Sequence, residues 1–356
     1  MNKKVRILSL DGGGIRGIIP ATVMEYVEQK LQVVSGNPNA RIADYFDMIV
    51  GTSTGGILAC FYLTPNPNNN GPSSKYPATE AIKFYSEKGK SIFTDSKKHE
   101  WFGLRQIFNA TAYSPKNIEG IFREEFGELR FRDLLKRCVV TTYNMASQSA
   151  FFFNSREEEH KKREFLLRDV VRSTSAAPTY FPPAFINNLA TGLQMVNIDG
   201  GVFANNPALC AYAEARHTAF GFIDYPTAKD MLMLSIGTGG GNLSFKQFES
   251  VDSWGAINWA KTAPDIMMDG SVDTVEFQMK LLFDTLEGEH KHNYKRIDVP
   301  LNQRKYASDM ADASPGNIEK LKAAGKAALA SALNTSQPAE SLDAFIQKLV
   351  DQSALA

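Results

Sequence analysis

The sequence predicts an α/β fold, a mainly parallel sheet with helices on both faces. Three observations carry this expectation. Short, mainly apolar runs end at glycines, as Val5–Leu10 does before Asp11 and its glycines and Phe46–Val50 before Gly51. Segments with apolar residues at helical spacing alternate with these runs, the pattern of a buried parallel sheet rather than of hairpins. Hydrophobic residues make up 43% of 356 positions and charged residues 22%, enough apolar material for a large core.

Taken in order, Val5–Leu10 reads as a buried strand, and Ile18–Val34 as a helix whose apolar face holds Val23, Tyr26, Val27, Leu31 and Val34. That helix stops at Ser35-Gly36-Asn37-Pro38. Phe46–Val50 is the next strand and Ile57–Leu63 a small apolar helix, followed by a loop rich in Pro and Asn over 64–77. Further helices are expected at Ala78–Lys90, Pro115–Phe126 and Phe165–Ser173, and strands at Cys138–Tyr143, Ala150–Phe153, Met195–Ile198 and Met231–Ser235. Residues 156–164 form a mixed charge run that reads as a solvated face. From Gly239 to Leu286 the pattern turns helical and rich in Met and Trp, and two terminal helices, Asn317–Leu333 and Ser341–Val350, are split by Pro338. The expected organisation is a catalytic domain over 1–300 with a helical extension, 301–356, packed on it.

Charge and cysteine usage exclude several function classes. Lys plus Arg is 39 and Asp plus Glu is 39, so the chain lacks the field of a DNA- or RNA-binding protein. The same balance argues against purely electrostatic adhesion to an anionic membrane. Three scattered cysteines, Cys60, Cys138 and Cys210, suit neither a disulfide framework nor a metal site. With no signal peptide and no apolar run of about 18 residues, the expected setting is soluble and cytoplasmic, with action at the inner membrane surface if the substrate is a lipid.

Three motifs carry chemistry. Asp11 to Gly17, with Gly12, Gly13 and Gly14, lies between a strand and a helix, where glycine amides can meet an anion. Gly12, Gly14 and Gly17 satisfy GxGxxG, but Leu31–Asn39 lacks the acidic residue that a dinucleotide fold needs, so an oxyanion hole is the better reading. Gly51-Thr52-Ser53-Thr54-Gly55 is GxSxG between a strand and an apolar helix, the context in which a serine hydroxyl is exposed above a sheet. Read as an ordinary turn, Ser53 would be a helix N-cap; read as a P-loop, the segment fails for want of GK[ST]. A nucleophilic serine needs a base. His99 and His160 sit among charged residues, His217 follows a helix, and His290 and His292 flank Lys291 in a loop, so none suits the role. Asp199, ending the strand Met195–Ile198 before Gly200 and Gly201, is the remaining proton acceptor.

These motifs, with Ser175 to Pro182 and Leu234 to Gly239, come in an order and spacing that resembles the patatin-like phospholipases over residues 5–240. The resemblance implies a three-layer α/β/α sandwich and a Ser53–Asp199 dyad without histidine. It further implies an oxyanion hole from the Gly12–Gly14 loop steadied by Arg16, turn glycines at Gly51 and Gly55, and no metal or cofactor. A membrane phospholipid is the implied substrate. Some bacterial members are similar in domain and serve as antiphage effectors switched on by a cyclic dinucleotide, for which Lys97, Lys98, Arg105 and Arg123 are candidates by charge. A non-catalytic lipid-binding or storage protein and a dinucleotide-dependent enzyme are the alternatives. Residues 251–286 read as a core helix or as a lid for lipid chains.

Overall fold

A computed structural model of the protein describes residues 3–68, 71–93, 112–156, 162–240 and 255–355. Eight strands form one sheet: β1 (Val5–Leu10), β2 (Met48–Thr52), β3 (Arg137–Asn144), β4 (Ser149–Asn154), β5 (Ala184–Asn187), β6 (Gln194–Asp199), β7 (Met231–Ile236) and β8 (Tyr294–Ile297). Their order is β5-β6-β3-β2-β1-β7-β8, with β4 also on β3. The centre, β3-β2-β1-β7-β8, is parallel. The β4, β5 and β6 pairings are antiparallel.

Alternate side chains leave the sheet on opposite faces, and both faces are covered. Leu8, Leu10, Ile49, Val140, Leu232 and Leu234 enter one apolar cluster, together with residues of α1 (Ile18–Ser35), α2 (Thr54–Leu63), α8 (Pro315–Leu333) and α9 (Leu342–Ser353). Val5, Ile7, Met48, Val50, Val139, Met231 and Met233 enter a second cluster, under α6 (Ala208–Arg216) and α7 (Ala256–Asp284). The architecture is therefore the expected three-layer α/β/α sandwich. Between these helices lie α3 (Ala78–Lys83), α4 (Pro115–Phe126) and α5 (Leu167–Thr174).

The predicted elements that fall within the described residues appear, with ends moved by a few residues; residues 241–254 of the expected helical stretch lie outside them. The expected helix 78–90 is α3 continued through a π turn, Phe84–Lys88, and the turn Gly89–Ile92. Two strands, β5 and β8, have no counterpart in the sequence reading; each is only four residues long. The C-terminal segment is bound closely to the rest. Asp343 accepts from Tyr26 and Lys30, each at 2.6 Å, and the Ile15 amide donates to the Met310 carbonyl at 2.9 Å.

Candidate active site

The register around β3 builds the site. On one side of β3, β2 runs parallel and ends with Thr52 opposite Thr141. On that same side β6 arrives from the other direction, pairing Asn197 with Asn144 and ending with Asp199 opposite Thr142. Because β4 holds the other side of β3 throughout, the carboxyl ends of β2 and β6 meet head to head at two consecutive residues. Ser53 is the residue after β2, so chain topology brings it to Asp199. Hydroxyl bonds stitch the junction, Thr52 to Thr141 at 2.7 Å, Thr52 to the Ala204 carbonyl at 2.6 Å and Thr142 to the Ile198 carbonyl at 2.7 Å.

Ser53 sits at φ 54°, ψ −124°, a strained conformation for a residue with a side chain and the mark of a nucleophile turn. Its amide donates to Thr174 Oγ1 at 2.8 Å, so it is not free to bind an oxyanion. The turn closes only without side chains at its flanks. A Cβ on Gly51 would lie 2.2 Å from the Gly55 carbonyl oxygen, and one on Gly55 2.1 Å from that of Leu10. As an N-cap, Ser53 makes no side-chain cap bond; its hydroxyl is instead a neighbour of the Asp199 carboxyl that draws its pKa down.

Asp199 is 4% exposed. Burial raises its carboxyl from 3.8 to about 7, against the opposing pull of hydrogen bonds from the Ser53 hydroxyl and the Gly201 amide. The Gly201 bond is 2.7 Å to Oδ1, and a Cβ on Gly200 would lie 2.1 Å from Thr141 Oγ1. Backbone and carboxylate are thus both fixed, and the carboxyl is poised near neutrality, where a general base works best.

The glycine loop packs directly on Ser53, since a Cβ on Gly12 would come within 3.2 Å of the Ser53 Cβ. Its amides divide into two groups. Gly12 donates to the Asn205 carbonyl at 2.9 Å, Ile15 to Met310 at 2.9 Å, and Arg16 to the Gly13 carbonyl at 3.2 Å. Among the described residues, the Gly13 and Gly14 amides meet no acceptor. Gly14 holds φ 60°, with the Met310 carbonyl oxygen only 2.5 Å from where its Cβ would be. Thr238 Oγ1 donates to the Gly12 carbonyl at 2.6 Å. Below the loop Asp11 is buried and receives both Arg296 guanidinium nitrogens, at 3.0 and 2.6 Å, in a bidentate pair. Arg296 also binds Asp298 at 2.9 Å. Arg16 lies buried with Nε 3.4 Å from the Gly13 carbonyl and Nη1 without a partner.

The patatin-like phospholipase profile matches residues 8–212, more than half of the chain. Patatin-like protein 2 of Oryza sativa subsp. indica is 35% identical over 342 residues, spanning 90% of this chain and 82% of its own length. Patatin-17 of Solanum cardiophyllum is 32% identical over 370 residues, covering 100% of this chain and 92% of its own. The chain belongs to the patatin-like phospholipase family. Lipid acyl hydrolysis, the general activity of the family, comes with that membership. Among solved structures, VipD from Legionella pneumophila aligns over 98% of this chain and 67% of its own at 13% identity, with a TM-score of 0.37.

Several supports of this patatin site were not foreseen. Thr174, Asn205, Thr238, Arg296 and Met310 hold Ser53 or the glycine loop; Thr174, Asn205 and Thr238 lie in or beside recognised motifs, whereas Arg296 and Met310 lie far from any. Of the histidines within the described residues, His217 caps the C-terminus of α6, His290 meets Lys4 and His292 meets Glu340. His99, His160, Lys97, Lys98, Arg105 and Trp254 lie outside the described residues, and Arg123 is exposed on α4. Among the described residues no cluster of His, Cys, Asp or Glu has the makings of a metal site, and no helix is long and apolar enough to cross a membrane.

Of the stretch 251–286, residues 251–254 lie outside the described residues and most of the rest forms α7. Its C-terminal half is core, with Met279 and Phe283 buried and Val275, Leu282 and Leu286 packed beside them. Further toward its N-terminus, Met268 Sδ lies 3.6 Å from where a Gly201 Cβ would be, directly beside the Asp199 turn. Trp259, Ile266, Met267, Phe277 and Leu281 are exposed along the outer side.

Proposed function

We propose that the protein hydrolyses fatty-acyl esters of membrane phospholipids, with Ser53 as nucleophile and Asp199 as its base. The observation that carries this reading is Ser53 at the apex of a strained turn, beside a buried carboxyl that burial raises to about 7. Asp199 takes the hydroxyl proton as Ser53 Oγ adds to the ester carbonyl. The Gly13 and Gly14 amides face the negative oxygen of the tetrahedral intermediate, a task that favours preset backbone donors. Collapse returns the proton from Asp199 to the leaving alcohol and leaves an acyl-Ser53 ester. Water, deprotonated by the same carboxylate, then releases the fatty acid and restores Ser53. No histidine is needed, because burial already supplies a base of suitable strength.

The dinucleotide reading loses support at the loop. Gly12, Ile15 and Arg16 amides are already engaged, which leaves two donors rather than the cradle a pyrophosphate requires. Against a purely binding or storage role stand the strained turn and the raised carboxyl, neither of which lipid storage needs. For activation by a cyclic dinucleotide, no described residue supplies a favouring observation. The deciding experiment is fatty-acid release from a phospholipid panel, read by mass spectrometry, for wild type and Ser53→Ala. Release should vanish in the variant; persistent release would remove Ser53 from the mechanism.

A further inference from the structure

Two asparagines follow the Asp199 turn, and they are not alike. Asn206 is engaged in structure, its Oδ1 accepting from the Ala208 amide at 3.0 Å while its Nδ2 is sealed from solvent. Asn205 is 6% exposed, and among the described residues its side-chain amide meets no hydrogen-bond partner. Its polar atoms are nonetheless not sealed off. The backbone here is pinned on both sides, since Thr52 Oγ1 donates to the Ala204 carbonyl at 2.6 Å and the Gly12 amide to the Asn205 carbonyl at 2.9 Å. A buried amide held this firmly and left unsatisfied calls for a partner that the fold itself does not supply.

Its position says what that partner is. The Asn205 amide oxygen lies 2.3 Å from where a Gly12 Cβ would stand, and the Ser53 Cβ lies 3.2 Å from the same point. That oxygen is also 3.2 Å from where a Gly201 Cβ would stand, with Asp199 Oδ1 at 3.1 Å from this second point. Asn205 is thus wedged between the glycine loop and the Asp199 turn, with the nucleophile across one glycine and the base across the other. Met268 Sδ, 3.6 Å from the second point, is only a weak acceptor. Two oxygen acceptors side by side are bridged by a donor with two hydrogens, and in an ester hydrolase that donor is the attacking water. Asp199 takes one of its hydrogens; the other is left to Asn205.

We propose that Asn205 is a catalytic residue of the second half-reaction, its amide oxygen accepting a hydrogen bond from the water that hydrolyses acyl-Ser53. One hydrogen of that water passes as a proton to the Asp199 carboxylate while the water oxygen bonds to the acyl carbon. The bond from the acyl carbon to Ser53 Oγ then breaks, its electron pair stays on Oγ, and Asp199 returns the proton there. The hydrogen facing Asn205 remains on the water oxygen and leaves in the carboxyl group of the fatty acid. Asn205 exchanges no proton; it fixes the direction of the attacking lone pair, which a water held at one point does not keep. This proposal rests on the acyl-enzyme reading above, and the test separates the two.

The measurement is a single turnover of p-nitrophenyl butyrate with enzyme in excess. Release of p-nitrophenol reads acylation, and intact-mass spectrometry reads the decay of the butyryl adduct on Ser53. In Asn205→Ala the backbone carbonyl that holds Gly12 survives, so acylation should change by less than about threefold while adduct decay slows by about a hundredfold. In the steady state kcat and KM should fall together, the signature of slow deacylation. The decay constant does not depend on how much of the variant is folded. Equal slowing of both steps, or decay at the wild-type rate, would overturn the role of Asn205. If the alanine variant does not fold, the isosteric Asn205→Asp decides. A second carboxylate beside Asp199 should move the midpoint of the kcat/KM profile up by about one pH unit or more, and an unmoved midpoint would put residue 205 too far from the base to share a water with it. Wild-type release of p-nitrophenol no faster than that of Ser53→Ala would sink the acyl-enzyme reading and this proposal with it, whereas Ser53-dependent release with unchanged decay in Asn205→Ala removes Asn205 alone.

Discussion

Replacing Asp199 by Asn should make the protein more stable and inactive, and the gain in stability should depend on pH in a defined way. Burial raises the Asp199 carboxyl from 3.8 to about 7. Between these values the folded protein holds a proton that the unfolded chain has released, so folding is progressively penalised as pH rises from about 4 to about 7. Above 7 the penalty is complete. About three pH units, at 1.36 kcal/mol each, place it at ~4 kcal/mol. Asparagine is never ionised and still accepts the 2.7 Å bond from the Gly201 amide through its side-chain oxygen. Urea unfolding of wild type and Asp199→Asn at pH 4 and pH 8 reads the difference. The variant should match wild type within about 1 kcal/mol at pH 4 and exceed it by about 3–4 kcal/mol at pH 8. Wild-type kcat/KM should rise with pH to a plateau, with a midpoint near 7, as the base becomes ionised. A stability difference equal at the two pH values would show that Asp199 is ionised at no unusual cost, and the argument for it as a tuned base would collapse.

The supports of the site give three more expectations. Gly14→Ala forces a side chain into φ 60° and against the Met310 carbonyl; kcat should fall by about 10²–10³, the loss expected for one oxyanion donor, with circular dichroism unchanged. Arg296→Met strands the buried Asp11 carboxylate and should cost about 3–5 kcal/mol in chemical denaturation, part of which a second change, Asp11→Asn, restores. Thr174→Val removes the acceptor of the Ser53 amide at 2.8 Å; it should lower stability by about 1–3 kcal/mol and kcat more than KM, whereas Thr174→Ser retains both.

The central strands were legible because parallel sheet buried on both faces leaves mainly apolar runs, and β1 falls on the expected Val5–Leu10. Strand β8, Tyr-Lys-Arg-Ile, carries two charged residues in four, one of which is Arg296 paired inward to Asp11. A periodicity argument passes over such a strand, since the bidentate partner of its inward charge, Asp11, is 285 positions away. Ser53, Asp199 and the glycines were legible as local turns. Their pairing was reached by elimination of the histidines and by resemblance, not from geometry, because β6 is antiparallel to β3 and the head-to-head register with β2 exists only in the assembled sheet. Nor did the repeated glycines reveal which amides are spoken for; Asn205 and Met310 decide that from elsewhere in the chain.

The Asp11–Arg296 pair also sets a timetable. Synthesis proceeds from the N-terminus at about 5–20 residues per second, so Arg296 follows Asp11 by roughly 15 to 60 seconds. Met310, which engages Ile15, comes later still. Over the last part of that interval, after Asp199 is made, the nascent chain carries the proposed nucleophile and base without the segment that shapes the glycine loop. On the proposed reading, membrane-cleaving competence is among the last properties the polypeptide acquires, and a cell making this protein is shielded from its own unfinished copies.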